Sequence, residues 1–241
     1  MCEVINLDLS EKTESSFRHP WELSRTEIIL RELKKLNISG NVLDIGCGDA
    51  YFDDMLLKRF PRIKELWGVD ICAKKDIRNG KANYVNSYEK IAGKKFRFVL
   101  LMDVLEHIED DISFMNNLQE YLDENAKVLI TVPAFQRLYS LHDKQLKHFR
   151  RYSYKLLSQT LTKSGYYVTD HSYFFLSLIP LRILSKNTTQ NIGTWNYSEK
   201  SLITRMIRYC LDIDYTVLRA FSKLGISIGG LSLLAICQSS R

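Results

Sequence analysis

Four short apolar runs, NVLDIG, ELWGVD, FRFVLLMD and KVLITVP, alternate with stretches of helical periodicity, and this alternation restricts the fold more than any other feature. Runs that are apolar at nearly every position are strands buried on both faces, which requires helices over both sides of a parallel sheet. The helical stretches are 21–36, 50–59 (stopped by Pro61), 73–80, 109–123 and 153–164, the last running into Gly165. ANYVN adds a short strand in the first half. YYVTDHSYF and GGLSLLAICQ add two more near the end, flanking a largely helical segment at 174–224 that is broken near Pro180 and across 187–196. The pattern predicts a doubly wound α/β sheet, whose ligands bind beyond the carboxyl ends of the strands, where strand order reverses. Gly46, Asp70, Asp103 and Pro133 mark those ends.

A chain of 241 residues holds one such domain with a cap. Its 45% hydrophobic and 26% charged content is that of an ordinary globular protein, with disorder expected only in the polar first fifteen residues. Cys2, Cys47, Cys72, Cys210 and Cys237 are scattered, which predicts a reducing compartment and neither a disulfide framework nor a zinc site. The N-terminus lacks a basic region followed by an apolar run. The longest apolar stretch, 173–184, contains Pro180 and Arg182 and is too short to span a bilayer. The expectation is a cytoplasmic protein. The net charge of +6 is partly local: the stretch KQLKHFRRYSYK at 144–155 contains no acid. Charge of this kind attracts nucleic acid, anionic membrane or phosphorylated substrates, or simply forms a solvated face.

The strongest local signal is LDIGCGD at 43–49. Gly46 and Gly48 follow a strand directly and precede a helix, the place where a missing Cβ lets backbone turn tightly and approach a ligand. The third glycine of a dinucleotide fingerprint is absent, its position being Tyr51. Asp70 ends the next strand, 22 residues after Gly48, as expected of an acid that accepts from two ribose hydroxyls. A strand-end Asp that caps the following turn satisfies the same spacing.

With VLDIGCGDA, WGVD and FVLLMDVLEHIEDD in this order over 41–111, and GGLSLLAIC closing the chain, the sequence resembles the class I S-adenosylmethionine (SAM)-dependent methyltransferases, in particular the group with the ubiquinone- and menaquinone-type enzymes. HPWELSR and HDKQLKHFRRYS resemble segments of a bacterial branch associated with polysaccharide or lipid biosynthesis. The resemblance implies a Rossmann-like seven-stranded sheet with the last strand antiparallel. It also implies one methyltransferase domain over 1–241: an N-terminal helical lid (1–38), a SAM-binding core (39–172), a helical cap insert (173–228) and a final strand (229–241).

SAM would be the cofactor and S-adenosylhomocysteine (SAH) its product. The resemblance places Asp44, Gly46, Cys47 and Gly48 around the methionine part of SAM. Asp70 and Ile71 go to the ribose and adenine, and Met102, Asp103 and Val104 to the sulfonium side. Asn86 and Ser87 stand where the family often has an acid contacting the adenine amine. Trp21 and Arg25, one helical turn apart, would close over the cofactor, or Trp21 simply packs the first helix.

Methyl transfer needs alignment of the acceptor and, for a hydroxyl, a base. His107, His142 and His148 are the candidates, His107 being also a residue that shapes the start of a helix. HDxxxxH offers His142, Asp143 and His148 as ligands with nothing nearby to complete a shell, so no metal is expected. His142, Lys147, Arg150, Arg151 and Tyr152 would bind an anionic acceptor, unless the arginines form ion pairs that support the fold. The acceptor is then a small molecule or a lipid- or sugar-linked one, methylated at oxygen. The apolar helices of 174–225 would touch a membrane surface or lipid tail, or else serve as core or a dimer contact. Two readings compete. A nucleic-acid (RNA) methyltransferase is suggested by the basic stretch, but MDVLEH stands where amino-methylating enzymes carry N/D-P-P-Y/F. A non-catalytic SAM-binding regulatory protein keeps the glycines without the reaction.

Overall fold

The apolar runs become the middle of one eight-stranded sheet. The structure, a computed structural model, describes residues 17–73, 76–184 and 196–240. In chain order the elements are α1 (Pro20–Lys35), β1 (Gly40–Ile45), α2 (Tyr51–Arg59), β2 (Ile63–Val69), β3 (Ile77–Asn79), β4 (Ala82–Val85) and β5 (Phe96–Met102). They continue with α3 (Asp111–Leu118), β6 (Leu122–Pro133), α4 (Leu141–Gln145), α5 (Tyr154–Lys163), β7 (Tyr166–Phe174), α6 (Ile179–Leu184), α7 (Leu202–Lys223) and β8 (Ser232–Ser239). The sheet order is β3-β4-β2-β1-β5-β6-β8-β7. β4, β2, β1, β5 and β6 are mutually parallel, and β8 is inserted antiparallel between β6 and β7. Strand order reverses at β1 and β5, so the crevice beyond their carboxyl ends is the place where this sheet accepts a ligand.

Alternate residues of the central strands feed two cores. Leu43, Ile45, Val99, Leu101, Val128 and Ile130 face one side with Met115, Leu157 and Leu161 of α3 and α5. Val42, Leu66, Leu100 and Leu129 face the other with Ile29 and Leu33 of α1 and Leu211 and Tyr215 of α7. Both faces are covered, which is why the strands read as unbroken apolar runs.

Three expectations need correction. The helix expected over 73–80 gives way, among the described residues, to a strand: Ile77–Asn79 pairs antiparallel with β4 across a tight turn at Gly80, whose φ is +57°. Asn-Gly followed by an alternating strand is a hairpin signal, and it overrides the helical look of the charges before it. The sheet therefore has eight strands, not seven. The helix expected at 109–123 ends at Leu118, a single 3-10 turn follows, and β6 already begins at Leu122.

The described parts of 173–228 pack largely against the sheet and α1. Ser177 and the 3-10 turn at Leu176–Leu178 join β7 to α7, where the Asp214 carboxylate accepts from Ser177 N at 2.9 Å and Oγ at 2.8 Å. α7 lies along α1 and β7, held by Glu32, which is 1% exposed and accepts from Tyr215 Oη and from Arg219 at 3.2 Å. The break expected across 187–196 and the polar first fifteen residues lie outside the described residues. α7 also carries a second apolar row on its open side: Leu202, Met206, Tyr209, Ile213 and Val217, all at helical spacing and all exposed. Among the described residues no helix is long and apolar enough to cross a membrane.

Candidate functional site

β1 runs into a loop that only glycine tolerates at its first turn. Gly46 has φ +75°, and a Cβ there would stand 2.9 Å from Val104 Cγ2. Its N–H donates to the Val69 carbonyl at 2.8 Å, and Ala50, at φ +60°, starts α2. Asp70 closes this loop. It is 3% exposed and accepts from Gly48 N at 3.1 Å through one oxygen and from Cys72 N at 2.9 Å through the other. Each carboxylate oxygen retains a lone pair for a ligand hydroxyl. The capping expected of a strand-end acid is thus present, and it leaves acceptor capacity on the same carboxylate.

At the end of β5, Asp103 takes φ +56°, accepts from Thr131 Oγ1 at 3.0 Å and forms an ion pair with Arg25 of α1. Between these two strand ends lies a cavity of about 440 Å³. Gly46, Cys47, Gly48, Asp70 and Ile71 line it from β1 and β2, and Met102, Asp103, Val104 and His107 from β5 and the turn after it. Trp21 and Arg25 border it from α1. Burial raises the Cys47 thiol far above its usual range, with the nearby Asp44 charge adding to the effect, so Cys47 is neutral wall rather than nucleophile.

Other candidates lie elsewhere. Asp44 is 1% exposed beneath the loop, packed against Asp53 of α2. Burial first and the Asp53 charge second push the Asp44 carboxyl well above the usual range, and burial likewise raises Asp53. Asn86 accepts from Lys90 at 2.8 Å, and Ser87 precedes a 3-10 turn; Tyr88, the next residue, is the one that lines the cavity. Arg18, Tyr51 and Phe114 also line it. The Arg18 guanidinium stacks over the Tyr51 ring at 3.7 Å and pairs with Asp49, a contact across 31 residues that nothing local in the sequence announces.

The basic segment behaves differently. Among residues 141–152 Leu146 lines the cavity, whereas His142, Lys147, His148, Arg150, Arg151 and Tyr152 do not. Arg151, 5% exposed, donates to Asp143 Oδ1 at 2.8 Å, and Arg182 of α6 donates to Asp143 Oδ2 at 2.6 Å. Burial alone would raise the Asp143 carboxyl; the His148 hydrogen bond and the Arg151 charge instead hold it well below the carboxylate range. Arg150 pairs with Asp111 at 2.9 Å, and the buried Tyr152 hydroxyl donates to the same carboxylate at 2.7 Å. Arg150, Arg151 and Tyr152, expected at an acceptor, are engaged here in ion pairs and hydrogen bonds within the fold. Lys147 is exposed at φ +55°, and His142 is half-buried on α4. His148 packs behind His107, edge to face with ring centres 4.6 Å apart, so one imidazole lines the cavity and a second backs it.

A methyltransferase-domain family profile matches residues 18–171. No curated protein sequence matches the chain. Among solved structures, the DhpI–SAH complex is similar at 12% identity, covering 92% of this chain and 87% of that one with a TM-score of 0.52. The plantazolicin methyltransferase BpumL in complex with SAH is similar at 17% identity, covering 90% and 82%, with a TM-score of 0.50. A SAM-dependent methyltransferase from Archaeoglobus fulgidus is similar at 19% identity, covering 89% and 94%, with a TM-score of 0.49. At these identities the likeness is one of fold. The profile, spanning well over half of the chain, shows more: the chain belongs to the methyltransferase-domain family and is a class I, SAM-dependent methyltransferase.

Proposed function

We propose that the chain methylates a hydroxyl oxygen of a small or lipid-linked acceptor inside the cavity between the β1 and β5 ends. The residues there fit SAM. The loop at Gly46 has no room for a Cβ, Asp70 keeps acceptor capacity toward ribose hydroxyls, and the cavity of about 440 Å³ is in the usual range for a small-molecule site. Bound SAM supplies a methyl group already activated on a sulfonium. The protein's part is to hold and align the partners and to promote loss of the acceptor's proton. In this reading Gly46 and Gly48 offer backbone to the amino-acid portion and Asp70 accepts from the ribose. The Arg25–Asp103 pair borders the sulfonium side, and the His107–His148 corner activates the hydroxyl.

The observation that carries the oxygen assignment is His107: the same cavity holds the glycine loop and an imidazole with a second imidazole behind it. Of the three candidate histidines, His107 lines the cavity, while His148 packs against His107 and His142 does not line the cavity. A small acceptor is favoured over nucleic acid, since Arg150 and Arg151 are engaged with Asp111 and Asp143. A lipid-linked acceptor is supported by the exposed apolar row of α7. That row is Leu202, Met206, Tyr209, Ile213 and Val217, a contiguous apolar face open to solvent. The test is transfer of labelled methyl from SAM to soluble and lipid-linked alcohols. His107→Ala should lower turnover by about 100-fold or more, the scale of a lost acid–base group, and His142→Ala should not. Undiminished transfer by His107→Ala would remove the assignment.

A further inference from the structure

Directly after Asp103 the chain makes a short 3-10 turn, Leu105–His107, that leaves Glu106 and His107 side by side; Glu106 is 1% exposed. The N–H of Phe149 donates to the Glu106 carbonyl at 2.7 Å and so brings the segment carrying His148 onto this turn. One donor atom from each of Glu106, His107 and His148 then lies within 4.8 Å of the other two. We infer that these three side chains bind a divalent metal ion at the cavity wall, and that this ion receives the acceptor oxygen. The inference rests on the reading of the cavity as a site of methyl transfer to oxygen.

Three features separate this cluster from a chance gathering of side chains. First, Glu106 Oε2 is buried with no hydrogen-bond partner among the described residues. A carboxylate oxygen out of water without a partner is rare in native structures, and a cation or a proton is what satisfies it. Second, His148 already has the support that metal-bound imidazoles use. Its Nδ1 lies 3.1 Å from Asp143 Oδ1, and the same carboxylate is held by Arg151 and Arg182, so one ring nitrogen of His148 is anchored and the ring orientation is fixed. Third, His107 lines the cavity beside Val104 and Asp103, so an ion held there is open to a small molecule on one side. Two imidazoles and one carboxylate with vacant positions suit a first-row divalent cation. Bonds of ~2.1 Å place the donors roughly 3–3.5 Å apart, so the three converge by about an ångström as the ion enters.

The ligands that HDxxxxH offered in sequence are thereby exchanged: His148 stays, Asp143 becomes its support, and Glu106 and His107 replace His142. In the transfer itself, an acceptor hydroxyl at a vacant position loses its proton to solvent water, favoured by the ion's charge. Its oxygen bonds to the methyl carbon, and the carbon–sulfur bond breaks with its electron pair left on sulfur. The products are a methyl ether, SAH and one released proton.

The experiment uses the full chain stripped of metal with a chelator. Mn²⁺ is titrated by electron paramagnetic resonance, Co²⁺ by its visible absorption and Zn²⁺ by calorimetry, all without SAM or acceptor. One ion per chain is expected, with at least tenfold weaker binding in Glu106→Gln and in His148→Asn. Circular dichroism and SAH binding identify variants that remain folded. Failure of the folded wild-type chain to bind any of the three ions at one per chain would overturn the site, as would binding unchanged in both variants. If no ion binds but His107→Ala still abolishes methyl transfer, the metal falls and the oxygen reading stands. If the ion binds and both variants lose it while no alcohol is methylated, the site stands and the oxygen reading falls.

Discussion

Two regions of the molecule carry similar charged residues and use them in opposite ways. At the ends of β1, β2 and β5, Asp70 and Asp103 sit on the wall of the cavity with capacity to spare for a ligand. In the segment 135–152, a stretch far more charged in sequence, Arg151 turns inward onto Asp143, which Arg182 of α6 also holds, and Arg150 pairs with Asp111. The first region is placed by strand ends in a parallel sheet, which must open onto the crevice where strand order reverses. The second is placed by what its carboxylates pair with, and those pairs decide whether a cation is free to bind substrate. A charge counted along a sequence is therefore a poor guide to a charge offered to a ligand.

The largest expected effect tests the inward region. Asp143→Asn leaves Arg151 and Arg182 buried without a counter-charge and should cost about 3–5 kcal/mol of stability, read by chemical denaturation. Because the folded Asp143 carboxyl lies below its unfolded value, its contribution is present above pH ~4 and is lost as the pH falls below it. Little change on denaturation would mean that these charges are solvated, and the contrast would break.

Next comes the cavity wall. Gly46→Ala drives a Cβ toward Val104 at a left-handed φ, so it should lower SAH affinity and cost about 1–2 kcal/mol of stability. Unchanged binding would show that the loop does not approach the ligand. Beneath that loop, Asp53→Asn sharpens the comparison by pH. Burial raises the folded Asp53 carboxyl, so the native chain holds a proton that the unfolded chain has lost, and stability declines as the pH rises above ~4 toward neutrality. The variant should gain on wild type across that window, by on the order of 2 kcal/mol. A parallel pair of pH–stability curves would contradict the burial argument. The smallest effect belongs to Arg150→Ala, whose partly exposed pair with Asp111 should be worth at most ~1 kcal/mol, with methyl transfer intact.

What the sequence makes legible follows the range of the interactions. LDIGCGD and Asp70 are readable because a strand, a glycine turn and a strand-end acid are local features with fixed spacing, and all of these residues except Leu43 and Asp44 line the cavity. The alternation of buried runs likewise yields the doubly wound sheet, while the antiparallel last strand follows only from the family resemblance. The β3–β4 hairpin was readable from Asn79-Gly80 but lay hidden in a charged stretch with helical composition. The fate of Arg151 was not readable, since its carboxylate is shared with Arg182, 39 residues from Asp143. Nor was the meeting of Glu106 with His148, which depends on one backbone hydrogen bond from Phe149. His107 was recognisable as a residue type, while its place on the wall depends on the turn that follows β5.

The most direct test of the cavity as the SAM site is a calorimetric titration of the wild-type chain with SAM and SAH, with NADH as control, repeated on Asp70→Ala. If the cavity is the SAM site, micromolar binding of both SAM and SAH is expected, none of NADH, and a loss of at least about tenfold, or ~1.4 kcal/mol, in the variant. A folded wild-type chain that binds neither SAM nor SAH, or a variant that binds them as well as wild type, would contradict it.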